Sequence, residues 1–209
     1  MSTNDVPHSP KIDTSNDHDD RPLNHQKTRT SDHRLPGDLS YRQMIERMIR
    51  VDHAGEYGAR RIYKGQLAIL DQTRWGPIIR HMAEQEDHHY EVFDRLIVER
   101  RIRPTVLQPV WYVVGYALGA FTALLDPRAA MACTVAVEET IDQHYRDQIE
   151  KLGDDEEQLR NYIEQFRADE LEHRDIGLEH DADQTFGYPV LYAIIKMGSR
   201  TAIWLSERI

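Results

Sequence analysis

Two short segments of the chain repeat one pattern, a glutamate followed three residues later by a histidine. Glu86 precedes His89, and Glu170 precedes His173. Both pairs lie in long segments with helical periodicity, and residues three apart lie on the same face of an α-helix. Each pair can therefore direct a carboxylate and an imidazole to one point, which is half of a metal site. One such pair is weak evidence, because both residue types are common on solvated helix surfaces.

Each pair is preceded, at a similar distance along the chain, by a lone glutamate on another predicted helix. Glu56 precedes Glu86, and Glu138 precedes Glu170 by nearly the same interval. A displacement of the first half of the chain that superposes Glu56 on Glu138 also superposes a tyrosine and a glutamine that follow each glutamate. This register, and the apolar stripe around it, favour Glu138 over the adjacent Glu139. The spacing predicts two related halves that contribute to one site.

The segments around these residues predict a bundle of long helices. Apolar residues recur every three or four positions from residue 39 onward, and the four glutamates lie on those stripes. Pro77 and Pro127 predict the first turns of two helices, and Gly153 predicts the end of one. A last amphipathic helix is predicted at about residues 189–206. The predicted fold is all-α, with a four-helix bundle that carries the site.

Four glutamates and two histidines are the ligand set of a carboxylate-bridged dinuclear site in a four-helix bundle. Four buried carboxylates would repel one another strongly, whereas two divalent cations neutralise their four charges. Oxygen and imidazole ligands without thiolate suit iron or manganese, and iron adds reactivity toward oxygen. We therefore predict a metal site formed by Glu56, Glu86, His89, Glu138, Glu170 and His173.

Other conspicuous side chains have simpler interpretations. The single cysteine, Cys133, lies in an apolar run and is expected to pack in the core rather than act as a nucleophile. His53 and His144 are expected to form hydrogen bonds near the core, with a role beside the ligands or the substrate as the alternative. Tyr63 and Tyr145 lie about two turns beyond their glutamates, so packing is favoured over a redox role.

Residues 106–125 form a run of twenty without a formal charge. That length permits a transmembrane helix. Against this, Pro109, Gly115 and Gly119 interrupt the run, and a single span would have to cross between two halves of one site. We favour a crossover segment whose exposed apolar face rests on a membrane surface. An ordinary buried connecting helix is the alternative.

Composition limits the class of protein. The 209 residues suffice for one domain with a substantial core. Residues 1–37 are polar and offer too little apolar surface to offset the entropy of ordering, so we predict a disordered tail before a folded domain at residues 38–209. The net charge of −10, with no basic stripe, argues against nucleic acid as a partner.

Several longer strings resemble one known family. Residues 50–59, 103–105, 131–139, 170–178 and 205–208 closely resemble the demethoxyubiquinone hydroxylases of ubiquinone biosynthesis. The similarity covers nearly everything from about residue 41 to 209. It implies a ferritin-like fold and a di-iron monooxygenase that hydroxylates the ring of a demethoxyubiquinone or its quinol. By this resemblance one iron is held by Glu56 and His89, the other by Glu138 and His173, and both by Glu86 and Glu170.

The same resemblance implies the other reactants and the location. NADH is the implied electron donor, although the chain contains no G-x-G-x-x-G dinucleotide fingerprint. A polyprenyl quinone would reach the site from a membrane, which would explain residues 106–125. Since the tail lacks a presequence, we expect a peripheral protein on the cytoplasmic face of a bacterial inner membrane. A homo-oligomer and a ubiquinone-biosynthesis complex are both compatible with the resemblance.

Two rival functions use the same residues. The first is iron oxidation or storage in the manner of ferritins, which would need a surface that assembles into a cage. The second is a membrane-surface scaffold in which the metal only stabilises the bundle. The long uncharged run at residues 106–125 argues against a soluble cage.

Overall fold

The structure is a computed structural model, and it describes residues 37–209. The predicted tail therefore lies, apart from residue 37, outside the described residues. Within the described part there are six α-helices and two short 3-10 turns, at Asp154–Glu156 and Ala182–Gln184. The helices are α1 (Tyr41–Leu70), α2 (Gly76–Glu99), α3 (Gln108–Leu125), α4 (Pro127–Ile149), α5 (Glu157–Glu179) and α6 (Tyr188–Ser206).

The helix starts follow local signals in the sequence. Ser40 caps α1 through a reciprocal capping box with Gln43. Pro77 lies in the first turn of α2, as predicted. Asp126 caps α4, where its side chain accepts a hydrogen bond of 2.7 Å from the backbone N–H of Arg128. These signals set where each apolar stripe begins, and hence which residues point inward.

Helices α1, α2, α4 and α5 form the bundle that was predicted. Helix α1 packs against α2, and α4 packs against α5, with short connections inside each pair. The core between them is apolar and includes Ile49, Phe93, Ile163 and Phe166. Cys133 is fully buried in this core, which confirms the packing interpretation. The all-α, ferritin-like bundle with additional helices is thus confirmed.

Helix α3 connects the α1–α2 pair to the α4–α5 pair, and its backbone lies very close to the backbone of α1. A Cβ atom on Gly119 would lie 1.9 Å from the carbonyl oxygen of Ile62, and one on Gly65 would lie 2.2 Å from that of Tyr116. Backbones can approach this closely only where side chains are absent. The glycines that interrupt the uncharged run therefore hold α3 against the bundle.

Helices α3 and α6 leave apolar faces exposed. Among the described residues, α3 is the one helix long and apolar enough to cross a membrane by length and composition, and only 22% of its residues are buried. The alternative of an ordinary buried connecting helix is therefore wrong. The exposed large apolar side chains of α3 and α6 are Val110, Tyr112, Val113, Val114, Tyr116, Phe121, Leu124, Leu125, Val190, Ile194, Met197 and Trp204. Contact of these faces with a membrane stays a prediction.

Candidate metal centre

The bundle brings all six predicted site residues together. Glu56 comes from α1, Glu138 from α4, and the two glutamate–histidine pairs from α2 and α5. None of the six side chains is more than 1% exposed. Helical periodicity alone turns each of them inward, because each lies on the apolar stripe of its helix.

The six residues form two overlapping groups of four. One group is Glu56, Glu86, His89 and Glu170, and the other is Glu86, Glu138, Glu170 and His173. Within each group one ligand atom per residue lies within 4.8 Å of all the others. Glu86 and Glu170 belong to both groups. The arrangement therefore contains two adjacent positions for a cation, with two carboxylates between them.

The atoms that face these positions have no hydrogen-bond partner among the described residues. They are Oε2 of Glu56, both carboxylate oxygens of Glu86, Nδ1 of His89, Oε2 of Glu138, both carboxylate oxygens of Glu170, and Nδ1 of His173. Buried polar atoms without partners are costly and rare in proteins. Eight in one cluster, all of them good ligand atoms for iron, fit a pair of divalent cations.

The other oxygen of each lone glutamate is held by a tyrosine from the opposite half. The hydroxyl of Tyr63 on α1 donates a hydrogen bond of 2.8 Å to Oε1 of Glu138. The hydroxyl of Tyr145 on α4 donates to Oε1 of Glu56. Both tyrosines are buried, as the packing interpretation predicts, but that interpretation missed these hydrogen bonds. A displacement along the sequence that superposes Glu56 on Glu138 also superposes Tyr63 on Tyr145. This correspondence was the signal that could have revealed the two hydrogen bonds.

The outer nitrogen of each histidine also has a partner, and the sequence reasoning missed both partners. Nε2 of His89 lies 2.9 Å from Oδ2 of Asp169, and Nε2 of His173 lies 2.9 Å from Oε1 of Gln85. Contacts of this kind fix the orientation of a metal-binding imidazole. Asp169 and Gln85 immediately precede Glu170 and Glu86, so their equivalent positions in the two halves were a usable signal.

Burial and mutual repulsion shift the protonation equilibria of the site. Burial raises the pKa values of Glu86 and Glu138, and the charge of Glu170 raises them further. Burial opposes protonation of His89, but the hydrogen bond between its Nε2 and Asp169, together with the Glu170 carboxylate 3.3 Å from its Nδ1, outweighs burial and raises the pKa of His89. For Glu170 itself, the imidazoles of His173 and His89, each with Nδ1 3.3 Å from one carboxylate oxygen, outweigh burial and lower the pKa. Without cations, this cluster retains protons to compensate its negative charge.

The remaining candidates lie outside both groups. Nε2 of His53 lies 3.2 Å from Oδ1 of Asp94, and Nε2 of His144 lies 3.2 Å from Oδ1 of buried Asp52. Both histidines therefore form the hydrogen bonds that were expected.

Glu139 points away from the site, toward α6. It accepts a hydrogen bond of 2.9 Å from Nζ of Lys196, and Tyr192 also donates to it. Glu138, which is 1% exposed, is therefore the member of the pair that lies inside the bundle.

These features define a class: a ferritin-like helical bundle with a buried carboxylate–histidine centre that could bind metal. Comparison with known proteins is more specific. The chain belongs to the family of the ubiquinone biosynthesis protein COQ7, whose sequence model matches residues 43–206. The chain is therefore a member of a family of ubiquinone-biosynthesis hydroxylases, as the resemblance implied.

Curated relatives from bacteria and eukaryotes share much of the sequence. The 3-demethoxyubiquinol 3-hydroxylase of Rhodospirillum rubrum is 54% identical over 87% of this chain and 86% of its own length. The mitochondrial NADPH-dependent 3-demethoxyubiquinone 3-hydroxylase of Homo sapiens is 55% identical, over 80% of this chain and 79% of its own. The mitochondrial 5-demethoxyubiquinone hydroxylase of Saccharomyces cerevisiae is 43% identical, over 79% and 78%.

Proposed function

We propose that this protein hydroxylates the ring of a demethoxyubiquinone, or of its quinol, with molecular oxygen. The observation that carries the proposal is the set of eight buried ligand atoms without hydrogen-bond partners, arranged around two adjacent positions. Membership of the COQ7 family supports the substrate class, because its curated relatives are named for that reaction.

We propose two iron ions as the metal. Glu56 and His89 would bind one, Glu138 and His173 the other, and Glu86 and Glu170 would bridge both. Two divalent cations balance the four glutamate charges, so the buried centre becomes neutral without protons. Reduced iron supplies the reactivity toward oxygen that amino-acid side chains lack.

The side chains around the centre hold its ligands in place. Tyr63 and Tyr145 each bind one oxygen of a lone glutamate, which leaves the other oxygen directed at a cation. Asp169 and Gln85 orient the two imidazoles from behind. The apolar core around the centre excludes water, so protons and electrons are not lost to side reactions there.

The reaction needs electrons and protons besides oxygen. One oxygen atom replaces the ring hydrogen as a hydroxyl group, and the other leaves as water, with two electrons and two protons consumed. We propose a reduced nicotinamide nucleotide as the electron source. The sequence favoured NADH by resemblance, whereas mammalian relatives are named NADPH-dependent. Oxidation rates measured with each nucleotide decide between the two.

We propose that the quinone approaches the centre through an apolar cavity. Its volume is about 300 Å³, and it lies between α1, α3, α4 and α6. Two of its wall residues, Gly55 and Val137, directly precede the site residues Glu56 and Glu138. At its rim, Val114 is 51% exposed and Ile194 is 57% exposed. The lining is apolar, which suits a prenylated ring.

The rim lies on the two helices with exposed apolar faces. Helix α3 carries no charged residue, and the charged residues of α6 are Lys196 and Arg200, both basic. An apolar face with basic residues beside it suits an anionic bilayer surface. We propose that α3 and α6 bind a membrane, from which the quinone enters the cavity. A position on the cytoplasmic face of a bacterial inner membrane stays a prediction.

A single oxygenation experiment tests the function. Protein loaded with iron without air is reduced, mixed with a short-chain demethoxyubiquinone, and exposed to ¹⁸O₂. The expected product carries one ¹⁸O atom on the ring, found by mass spectrometry, with two irons bound per chain. Oxidised iron that accumulates without a ring product would instead support iron storage, and bound iron with no oxidation would support a scaffold.

Two variants make the experiment specific for the centre. Glu170→Ala removes a carboxylate shared by both groups and is expected to abolish iron loading or turnover. Glu172→Ala removes an exposed carboxylate two residues away on the same helix and is expected to change neither. A fully active two-iron Glu170→Ala protein would refute the bridging assignment.

A further inference from the structure

The glycines inside the helices are of two kinds. At Gly65, Gly119 and Gly177, a Cβ atom would lie within 3 Å of an atom of a neighbouring helix, so packing requires a glycine. At Gly55 and Gly58, in the middle of α1, a Cβ atom would have nothing within 4 Å. Helix packing therefore does not explain these two glycines.

The unexplained glycines all face the same space. Gly55 and Gly58 of α1 line the apolar cavity, and so does Gly198 of α6, whose Cβ position is equally open. They come from two helices on different sides of the cavity. Two of them flank Glu56, which is a residue of the candidate centre.

Glycine in the interior of a helix lowers stability relative to alanine, because the unfolded chain loses more conformational freedom on folding. At Gly55 and Gly58 an alanine would fit without a clash, so helix packing does not explain why the less stable glycine is present. Alanine would, however, extend into a cavity of only about 300 Å³, which is near the lower limit for a small-molecule site. The missing side chains preserve space for an occupant.

We infer that Gly55, Gly58 and Gly198 are specificity-determining residues, which keep the cavity wide enough for the ring and first prenyl unit of the quinone. This inference rests on the proposed function for the identity of the occupant. Gly55 and Gly58 set the width beside Glu56, and Gly198 sets the width at the rim. A side chain at these positions takes space from the substrate, and its Cβ atom contacts no metal ligand on another helix.

The test compares stability with substrate binding in iron-loaded protein. Gly58→Ala is expected to raise Tm by roughly 1–4 °C, because alanine favours the helix. The same change is expected to weaken binding of a demethoxyubiquinone with one prenyl unit about 10-fold, since one added methyl group in a tight apolar pocket has that effect. Binding is measured without oxygen, by quenching of tryptophan fluorescence, because Trp111 lines the cavity.

Larger substitutions and a matched control complete the series. Gly58→Leu is expected to abolish quinone binding while retaining two irons per chain. Ala68→Leu makes a change of similar size at an exposed position of the same helix, and is expected to leave quinone binding unaltered. Iron content reports on folding of the centre in each variant, so a variant that does not fold is recognised directly. If Gly58→Leu does not fold, Gly55→Ala and Gly198→Ala serve as the tests in its place.

The outcomes separate this inference from the proposed function. If the glycine variants bind and hydroxylate the quinone as the wild type does, the inference is overturned and the function stands. If the wild type binds the quinone but never hydroxylates it, the function fails, and the weaker binding of the glycine variants still supports the inference. A wild-type protein that does not bind the quinone overturns the inference.

Discussion

Removal of the metal should reverse the way in which stability depends on pH. In the metal-free protein, Glu86 and Glu138 have pKa values well above the ordinary glutamate value of 4.5, first because of burial and then because of the charge of Glu170. The folded protein therefore binds more protons than the unfolded chain at any pH between 4.5 and the folded values. The stability that the protonated carboxyls of Glu86 and Glu138 contribute is fully present below pH 4.5 and is lost as the pH rises through that window.

The other groups of the site do not oppose this trend near neutral pH. The pKa of His173 is raised, because the Glu170 carboxylate 3.3 Å from its Nδ1 outweighs burial, so its contribution is also lost as the pH rises above the ordinary value of 6.5. Glu170 has a lowered pKa, and its contribution is lost only when the pH falls below about 4.5. Outside the site, burial lowers the pKa of His53, and this one group contributes in the opposite direction. Two carboxyls and two imidazoles outweigh one imidazole, so the expected direction between pH 5 and 7 is downward.

The magnitude follows from the difference in bound protons between the folded and the unfolded chain. The raised pKa values of Glu86 and Glu138 mean that the folded protein retains protons that the unfolded chain has lost, and we take a difference of one proton between pH 5 and 7. One proton changes the free energy of unfolding by about 1.4 kcal/mol per pH unit, or about 3 kcal/mol over this range. For a chain of this size, that corresponds to a fall in Tm of roughly 6–12 °C. Iron-loaded protein should show the opposite slope, because protons compete with the metal for its ligands as the pH falls.

Thermal unfolding followed by circular dichroism, with and without iron, measures both slopes. Glu86→Gln removes one titrating carboxyl and should flatten the slope of the metal-free protein, whereas Glu84→Gln, at an exposed position of the same helix, should not. A metal-free Tm that stays constant or rises between pH 5 and 7 would refute the reasoning.

Three further changes test separate parts of the structure. Tyr145→Phe removes the hydrogen bond to Glu56 and should weaken iron binding about 10–100-fold, measured by competition with a chelator. Gly119→Ala forces a Cβ atom toward the carbonyl of Ile62 and should lower the free energy of unfolding by about 1–3 kcal/mol in urea titrations. Val113→Gln replaces a side chain that is 64% exposed on α3 and should reduce binding to anionic liposomes about 10-fold without loss of iron.

Each change has a control of the same chemical type. Tyr116→Phe alters an exposed tyrosine of α3, Gly198→Ala adds a Cβ atom where nothing lies within 4 Å, and Val98→Gln alters an exposed valine of α2. Tyr116→Phe should leave iron affinity, and Val98→Gln liposome binding, close to those of the wild type, whereas Gly198→Ala should leave stability equal to or slightly above that of the wild type, because alanine favours the helix. A test variant that behaves like its control contradicts the corresponding structural argument.

Much of the site was predictable because its geometry is local. The direction of a side chain on a helix depends on its position in the 3.6-residue repeat, so spacing alone turned Glu86 and His89 to one face. The apolar stripe and the superposition of the two halves of the chain likewise separated Glu138 from Glu139. The bundle itself followed from long apolar stripes with clear helix starts.

Equivalent positions in the two halves of the chain can mark the residues behind the ligands, but spacing does not say which ligand each of them contacts. Asp169 reaches His89 across the bundle, and Tyr63 bonds to Glu138 rather than to Glu56 of its own helix. A residue seven positions away on one helix is about 10 Å distant along the axis, whereas a packed neighbouring helix is within reach. Such pairings depend on the separation and crossing of helices, which no local signal encodes.

The sequence by itself therefore determined the inward residues of the centre and the helical class, because both depend on the periodicity of single helices. Only the tertiary structure decided how the two halves exchange their tyrosine hydrogen bonds, how closely α3 lies against α1, and that a cavity opens between α1, α3, α4 and α6. These features depend on distances between helices, and those distances are set by packing over the whole bundle.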